Sequence, residues 1–186
     1  MNRVLVLDFS LGGATAMLTS GARLSKAAFI DYCARNTGHD DCGWLAAGGV
    51  EFAAIDGAAY ERDNRDPRVG VTVAVDPALS QAMTDESLSV LTTDTLVINL
   101  GVTGAIPEAM KAADMAARVP GAEYRTVEGA AHFSFLATCS TFGVFMIGVA
   151  GDDNICSDRG LRDRDDVHAE LATLIGDFLE SRLAAR

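Results

Sequence analysis

The sequence predicts an α/β protein built around a parallel sheet of about four strands with flanking helices. Three strand-length apolar runs are rich in β-branched residues, and continuous runs of this kind are typical of strands buried on both faces, while a fourth strand is more weakly indicated. Segments rich in helix-forming residues lie between some of these runs, and alternating strands and helices give parallel strands with right-handed crossovers. The three apolar runs occupy residues 3–7, 68–75 and 95–100, and the weaker fourth strand occupies residues 122–127.

The first element is a strand that leads directly into a turn and a helix. Residues 3–7 form the strand, residues 8–13 (DFSLGG) form the turn, and residues 14–18 begin a helix. This order is half of a βαβ unit. No strand pattern follows until residue 68, so we expect a helical or irregular, lid-like excursion over about residues 25–66.

Two further helices complete the predicted elements. Residues 107–118 begin with a proline, which suits the first turn of a helix, and Pro120-Gly121 ends the segment. Residues 166–183 form a terminal helix whose apolar side chains share one stripe. With 186 residues, of which 49% are hydrophobic, the chain is long enough for one domain, 1–186, with its own core.

The charge of the chain excludes some classes of partner. The net charge is −11 and the isoelectric point is near 4.5, so the long-range field repels nucleic acid and anionic membrane surfaces. The apolar runs are far shorter than the roughly 20 residues of a membrane helix, and we expect a soluble protein without a membrane span. The N-terminus shows no signal peptide pattern, which leaves the location open.

The four cysteines form two sequence-local pairs, Cys33 with Cys42 and Cys139 with Cys156. None has the Cys-x-x-Cys spacing of a metal or redox site, so we expect no metal. Two local disulfides would suit a periplasmic or secreted protein, and four buried thiols would suit the cytosol. The loop-rich surroundings favour disulfides slightly.

Ser10 is the candidate nucleophile. It lies at a sharp strand-to-helix turn beside glycine, an arrangement that lifts a serine hydroxyl above the sheet and aims backbone N–H groups at an oxyanion. An ordinary helix N-cap serine has the same local pattern, and by itself this pattern favours the N-cap. The turn could also cradle a phosphate, but it lacks the Rossmann glycine spacing and the Walker lysine, so we expect no cofactor.

Asp76 and His132 strengthen the catalytic interpretation. Asp76 directly follows the second strand and His132 follows the fourth, so both lie at the carboxyl edge where α/β sites assemble. Each alone is more typical of a turn or a structural residue. The order Ser10, Asp76, His132 is the hydrolase order, and it predicts that His132 deprotonates Ser10 while Asp76 holds the imidazole. The Leu11 N–H would donate to the oxyanion.

The segments DFSLGGATA, VAVDPAL and VEGAAHFSFL resemble the elbow, acid and histidine segments of predicted dienelactone hydrolases related to platelet-activating-factor acetylhydrolases. The resemblance runs over most of the chain. It implies an α/β-hydrolase fold and a serine esterase that cleaves a small ester or lactone, with Ser10, Asp76 and His132 as the catalytic triad. In the acetylhydrolase-like branch the acid follows the strand after the elbow, which matches Asp76.

The chain departs from that family at its front. Asp8 stands where the elbow has glycine, and one strand precedes the elbow where the family has several, so we expect that the N-terminal strands of the full fold are absent. The first strand would then be an apolar sheet edge open to pairing with a second copy or another chain. The alternative function is therefore a catalytically silent, truncated hydrolase-like domain that is structural or needs a partner chain.

Overall fold

A computed structural model describes residues 4–104, 106–150, 155–158 and 162–184. Its four strands form one sheet in the order β1-β2-β3-β4, and β1 with β2 and β2 with β3 pair in parallel. The predicted α/β arrangement with a four-stranded sheet is confirmed. The strands are β1 (Val4–Phe9), β2 (Val69–Val75), β3 (Asp94–Gly101) and β4 (Glu123–Glu128).

Eight α-helices lie within the described residues, and four of them occupy the long segment between β1 and β2. Ser25 caps the second helix, because its side chain accepts a hydrogen bond from the Ala28 N–H. The helices are α1 (Leu11–Ser20), α2 (Lys26–Arg35), α3 (Asp40–Ala47), α4 (Gly57–Tyr60), α5 (Asp85–Leu88), α6 (Ala113–Ala117), α7 (Thr141–Ala150) and α8 (Arg164–Ala184).

The chain divides into two compact units. The first contains the described residues up to Asn99 together with Pro107–Arg125, and the second contains Leu100–Ile106 and the described residues from Thr126 onward. The first unit has an apolar core in which side chains from α1, α2 and β3 meet those of α5 and α6. Residues of this core include Met17, Phe29, Leu88, Val97 and Met115.

Strand β1 differs from its neighbours in exposure. Nearly every residue of β2 and β3 is buried, as the continuous apolar runs predict. In contrast, β1 ends the strand order, and Val4, Leu5 and Leu7 are exposed. The apolar edge expected from the sequence is present, and pairing of that edge with another chain stays a prediction.

The prediction of one helix over residues 107–118 is wrong. The segment contains a short 3₁₀ helix, Glu108–Met110, followed by α6, and the helix is interrupted between them. The Asn99 side chain explains the break, because it donates to the Met110 carbonyl and accepts from the Ala112 N–H. These backbone groups bond to a side chain of β3 and not to a continuous helix.

Both cysteine pairs form disulfides. Cys33 of α2 is bonded to Cys42 of α3, and both lie in the core of the first unit. Cys139 is bonded to Cys156 in the second unit. Of the two alternatives for the cysteines, the structure therefore has disulfides.

The second unit contains two contrasting helices. Helix α8 confirms the predicted terminal helix, and its buried side chains include Val167, Leu171 and Phe178. Helix α7 has no charged residue and no buried residue, and its side chains, such as Phe142 and Phe145, are exposed. Within the described part of the chain, no helix combines the length and apolar character needed to cross a membrane.

Candidate active site

Ser10 occupies a strained position between β1 and α1. Its φ of 56° and ψ of −121° lie outside the regions that L-residues favour. Three backbone hydrogen bonds hold it there. Its N–H donates to the Val75 carbonyl (2.9 Å), and its carbonyl accepts from the N–H groups of Ala14 and Ala78 (3.0 Å each). Strain of this kind persists only where the surroundings impose it, and it clusters at functional sites.

The glycines after Ser10 allow the turn to close. A Cβ on Gly12 would collide with the Asp8 carboxylate, which accepts a hydrogen bond from the Phe9 N–H (2.8 Å). A Cβ on Gly13 would lie 3.1 Å from the Pro77 Cα, so α1 approaches the end of β2 closely at this point. Asp8, which departs from the elbow pattern, is thus accommodated by the missing side chain of Gly12.

Asp76 directly follows β2 and is fully buried. Its φ of 43° is again positive, and its N–H donates to the Ile98 carbonyl (2.7 Å). One carboxylate oxygen, Oδ1, accepts a hydrogen bond from the Asn99 side-chain amide (2.8 Å). A buried carboxylate requires such partners, because desolvation without them is costly.

Asn99 is the residue that the sequence analysis missed. It lies on β3, is fully buried, and makes four side-chain hydrogen bonds. Its Nδ2 donates to Asp76 Oδ1 and to the Met110 carbonyl (2.6 Å), while its Oδ1 accepts from the Ala112 N–H and the Tyr124 hydroxyl (3.0 Å each). A single amide in the apolar run of residues 95–100 was the available signal, because a buried polar side chain requires partners.

His132 lies in the second unit, at the start of the short 3₁₀ helix His132–Phe135. Its ring packs edge-on against Phe133, with 5.1 Å between ring centroids. Two hydrogen bonds hold the turn around it. The Ser134 N–H donates to the Ala131 carbonyl (2.9 Å), and Ser134 Oγ accepts from the Ala131 N–H (3.1 Å). The backbone on both sides of His132 is therefore fixed.

An ion pair between buried Arg164 and partly buried Asp158 supports the same turn from within the second unit. Ser134 Oγ donates to Asp158 Oδ1 (2.7 Å), and Arg164 Nε donates to the same oxygen (2.9 Å). The Arg164 guanidinium also donates to the carbonyls of Ala137 (3.1 Å) and Ile155 (3.0 Å). Arg164 is buried and connects three segments of the second unit.

The structure brings two of the three predicted catalytic residues to one edge of the sheet. Phe9 and Val75 are partners in the parallel register of β1 and β2, so Ser10 and Asp76, which follow them, leave neighbouring strands at the same level. Leu11 is the first residue of α1, and an N–H in the first turn of a helix has no acceptor within that helix. His132 follows β4 and belongs to the other unit.

The loop after β3 carries no carboxylate, as the sequence indicates, and its role within the second unit is structural. The Thr103 N–H and hydroxyl both donate to the Glu128 carboxylate at the end of β4. These hydrogen bonds lower the pKa of Glu128 below its usual value. The pairing ties the loop to β4.

A separate cavity of about 540 Å³ lies in the first unit. Its lining mixes acidic Asp31 and Glu108 with the cation Arg35, and it includes Tyr32 and His39. Burial, together with the nearby Asp41 charge, raises the pKa of Tyr32. Neither Ser10 nor Asp76 lines this cavity, so it is not the predicted site.

In the described ranges no group of three or more His, Cys, Asp or Glu side chains is arranged to hold a metal ion. Comparison of the chain with protein-family models, with curated proteins and with solved structures finds no match. A function for this chain is therefore inferred from its own residues.

Proposed function

We propose that the chain is a serine hydrolase that cleaves a small carboxylic ester or lactone through an acyl-enzyme, on a fold of the α/β-hydrolase kind. The observation that carries the proposal is the positive φ of Ser10 between β1 and α1, held by three hydrogen bonds. A strained turn from strand to helix supports the proposal, because α/β-hydrolases present their nucleophilic serine on a turn of this kind. An ordinary N-cap serine has an extended backbone and a side-chain bond to the helix, and Ser10 has neither.

In the proposed mechanism, Ser10 Oγ attacks the acyl carbon of the ester while His132 takes the hydroxyl proton. Asp76 holds the imidazole tautomer and stabilises its positive charge, and the Leu11 N–H donates to the oxyanion. The tetrahedral intermediate collapses when His132 returns the proton to the leaving alcohol. Water then attacks the acyl group with His132 as base, which releases the acid and regenerates Ser10.

The alternative is a catalytically silent domain that requires a partner chain. The exposed apolar side chains of β1, Val4, Leu5 and Leu7, favour this alternative, because such an edge offers unpaired backbone groups to another strand. The reactivity of Ser10 distinguishes the two proposals.

Labelling with a fluorophosphonate probe, which reacts with activated serines, tests the proposal. We expect labelling of the wild-type protein and of Ser89→Ala, which removes an exposed serine of the same unit, but none of Ser10→Ala. Hydrolysis of p-nitrophenyl butyrate follows the same order, and His132→Gln lowers its rate on the order of 10⁴-fold or more. Equal labelling of Ser10→Ala and wild type, or no labelling of a folded wild type, refutes the proposal.

A further inference from the structure

We propose that Asn99 is the positioning residue of Asp76, and that it transmits to the carboxylate the orientation fixed by Met110, Ala112 and Tyr124. The inference rests on the proposed function, in which Asp76 is the acid of the triad. Asn99 touches no reacting atom in that mechanism, so its effect passes through Asp76. Both side chains are fully buried within the first unit.

The hydrogen bonds define the orientation of the Asn99 amide. Asn99 Oδ1 accepts hydrogen bonds from the Ala112 N–H and the Tyr124 hydroxyl. Asn99 Nδ2 donates to the Met110 carbonyl and to the Asp76 carboxylate. Rotating the amide by 180° would set Nδ2 against the Ala112 N–H and Oδ1 against the Met110 carbonyl. An Asn side chain has two N–H donors and two acceptor lone pairs, and all four are used here.

This arrangement leaves Asp76 little freedom. Its backbone is held by the bond from its N–H to Ile98, and one carboxylate oxygen is held by Asn99. Each of these partners lies on β3, the strand beside β2. The carboxylate is thus fixed in rotation before any substrate binds, and a misplacement of about 1 Å at a catalytic group can lower a rate about 100-fold.

A double-mutant cycle tests the inference through the rate at which the fluorophosphonate probe labels Ser10, corrected for the folded fraction by near-ultraviolet circular dichroism. We expect Asn99→Ala to lower this rate about 10-fold to 100-fold, with no further loss when Asp76 is already alanine. Tyr124→Phe removes one hydroxyl and is the milder variant, with a several-fold loss and the same dependence on Asp76. As a control, Thr95→Val removes a different buried hydroxyl, on β3, and leaves the labelling rate unchanged.

The outcomes separate the two proposals. The positioning role is overturned if Asn99→Ala lowers the labelling rate equally with Asp76 present and with Asp76→Ala. It is also overturned if Asn99→Ala and Tyr124→Phe are both labelled at the wild-type rate. In either case Ser10 stays reactive and the proposed function stands. If Asn99→Ala does not fold, the double-mutant cycle of Tyr124→Phe with Asp76→Ala tests the positioning role by the same comparison of labelling rates. A folded wild type that is not labelled at Ser10 overturns the proposed function and this inference together.

Discussion

Replacing Arg164 with methionine is expected to destabilise the second unit far more than the same substitution at Arg162, two residues earlier. Arg164 is 4% exposed and pairs with Asp158, which is 22% exposed. Arg162 pairs with Glu170, and these side chains are 30% and 38% exposed. The two arginines therefore form ion pairs of similar chemistry at different depths.

The burial of each ion pair determines how far its removal is expected to lower the free energy of unfolding. Removing one partner of a buried ion pair costs about 3–5 kcal/mol, because the other charge stays buried without its partner. Solvent reaches Asp158 in part, so we expect about 3 kcal/mol for Arg164→Met. The exposed pair of Arg162 contributes about 0–1 kcal/mol. Methionine retains most of the apolar stem in both variants, so the comparison isolates the guanidinium.

Urea unfolding followed by circular dichroism measures the difference as a shift of the midpoint at constant slope. Since Ser134 bonds to Asp158 and to the turn at His132, Arg164→Met should also lower ester hydrolysis, while Arg162→Met should not. Asp158→Asn in the Arg164→Met background removes the unpaired charge and should recover part of the stability. Equal destabilisation by the two methionine variants would refute the reasoning.

The remaining predictions concern the first unit. The double variant Cys33→Ala/Cys42→Ala removes a disulfide of sequence separation 9 and should lower the free energy of unfolding by about 2–3 kcal/mol in urea titrations; an unchanged midpoint contradicts this. Arg68 lowers the pKa of Asp66 from 3.8 to about 2, so the stability due to this pair is present above pH 4 and is lost as pH falls through about 2. In Arg68→Gln, the Asp66 titration followed by NMR should move up towards its usual value, and an unmoved midpoint would exclude Arg68 as the cause.

Strands β2 and β3 were predictable from the sequence because a strand buried on both faces consists largely of apolar residues. A strand such as β2 is apolar at nearly every position, and no other element need be known to recognise it. The interruption of the helix at residues 108–117 was not predictable, because it depends on hydrogen bonds to Asn99, a residue of β3. Helix propensity is summed along the chain and carries no information about such a distant partner.

The candidate site, like the fold, was predictable from the sequence only in part. The order of Ser10, Asp76 and His132 was evident from the sequence, because each residue follows a predicted strand. The strained backbone of Ser10 and the accommodation of Asp8 by Gly12 could not, because both depend on coordinates of the closed turn. Asn99 looked like one more strand residue until its four partners were known.

The hydrogen bonds of Asn99 also have a consequence for synthesis of the protein. Asp76 precedes Asn99 by 23 residues, but Tyr124 follows it by 25. At a translation rate of about 5–20 residues per second, the nascent chain spends about 1–5 s with Asn99 made and Tyr124 still missing. During that interval the Asn99 amide has only part of its set of partners, so the hydrogen bonds at the centre of the first unit cannot be completed until Tyr124 has been added.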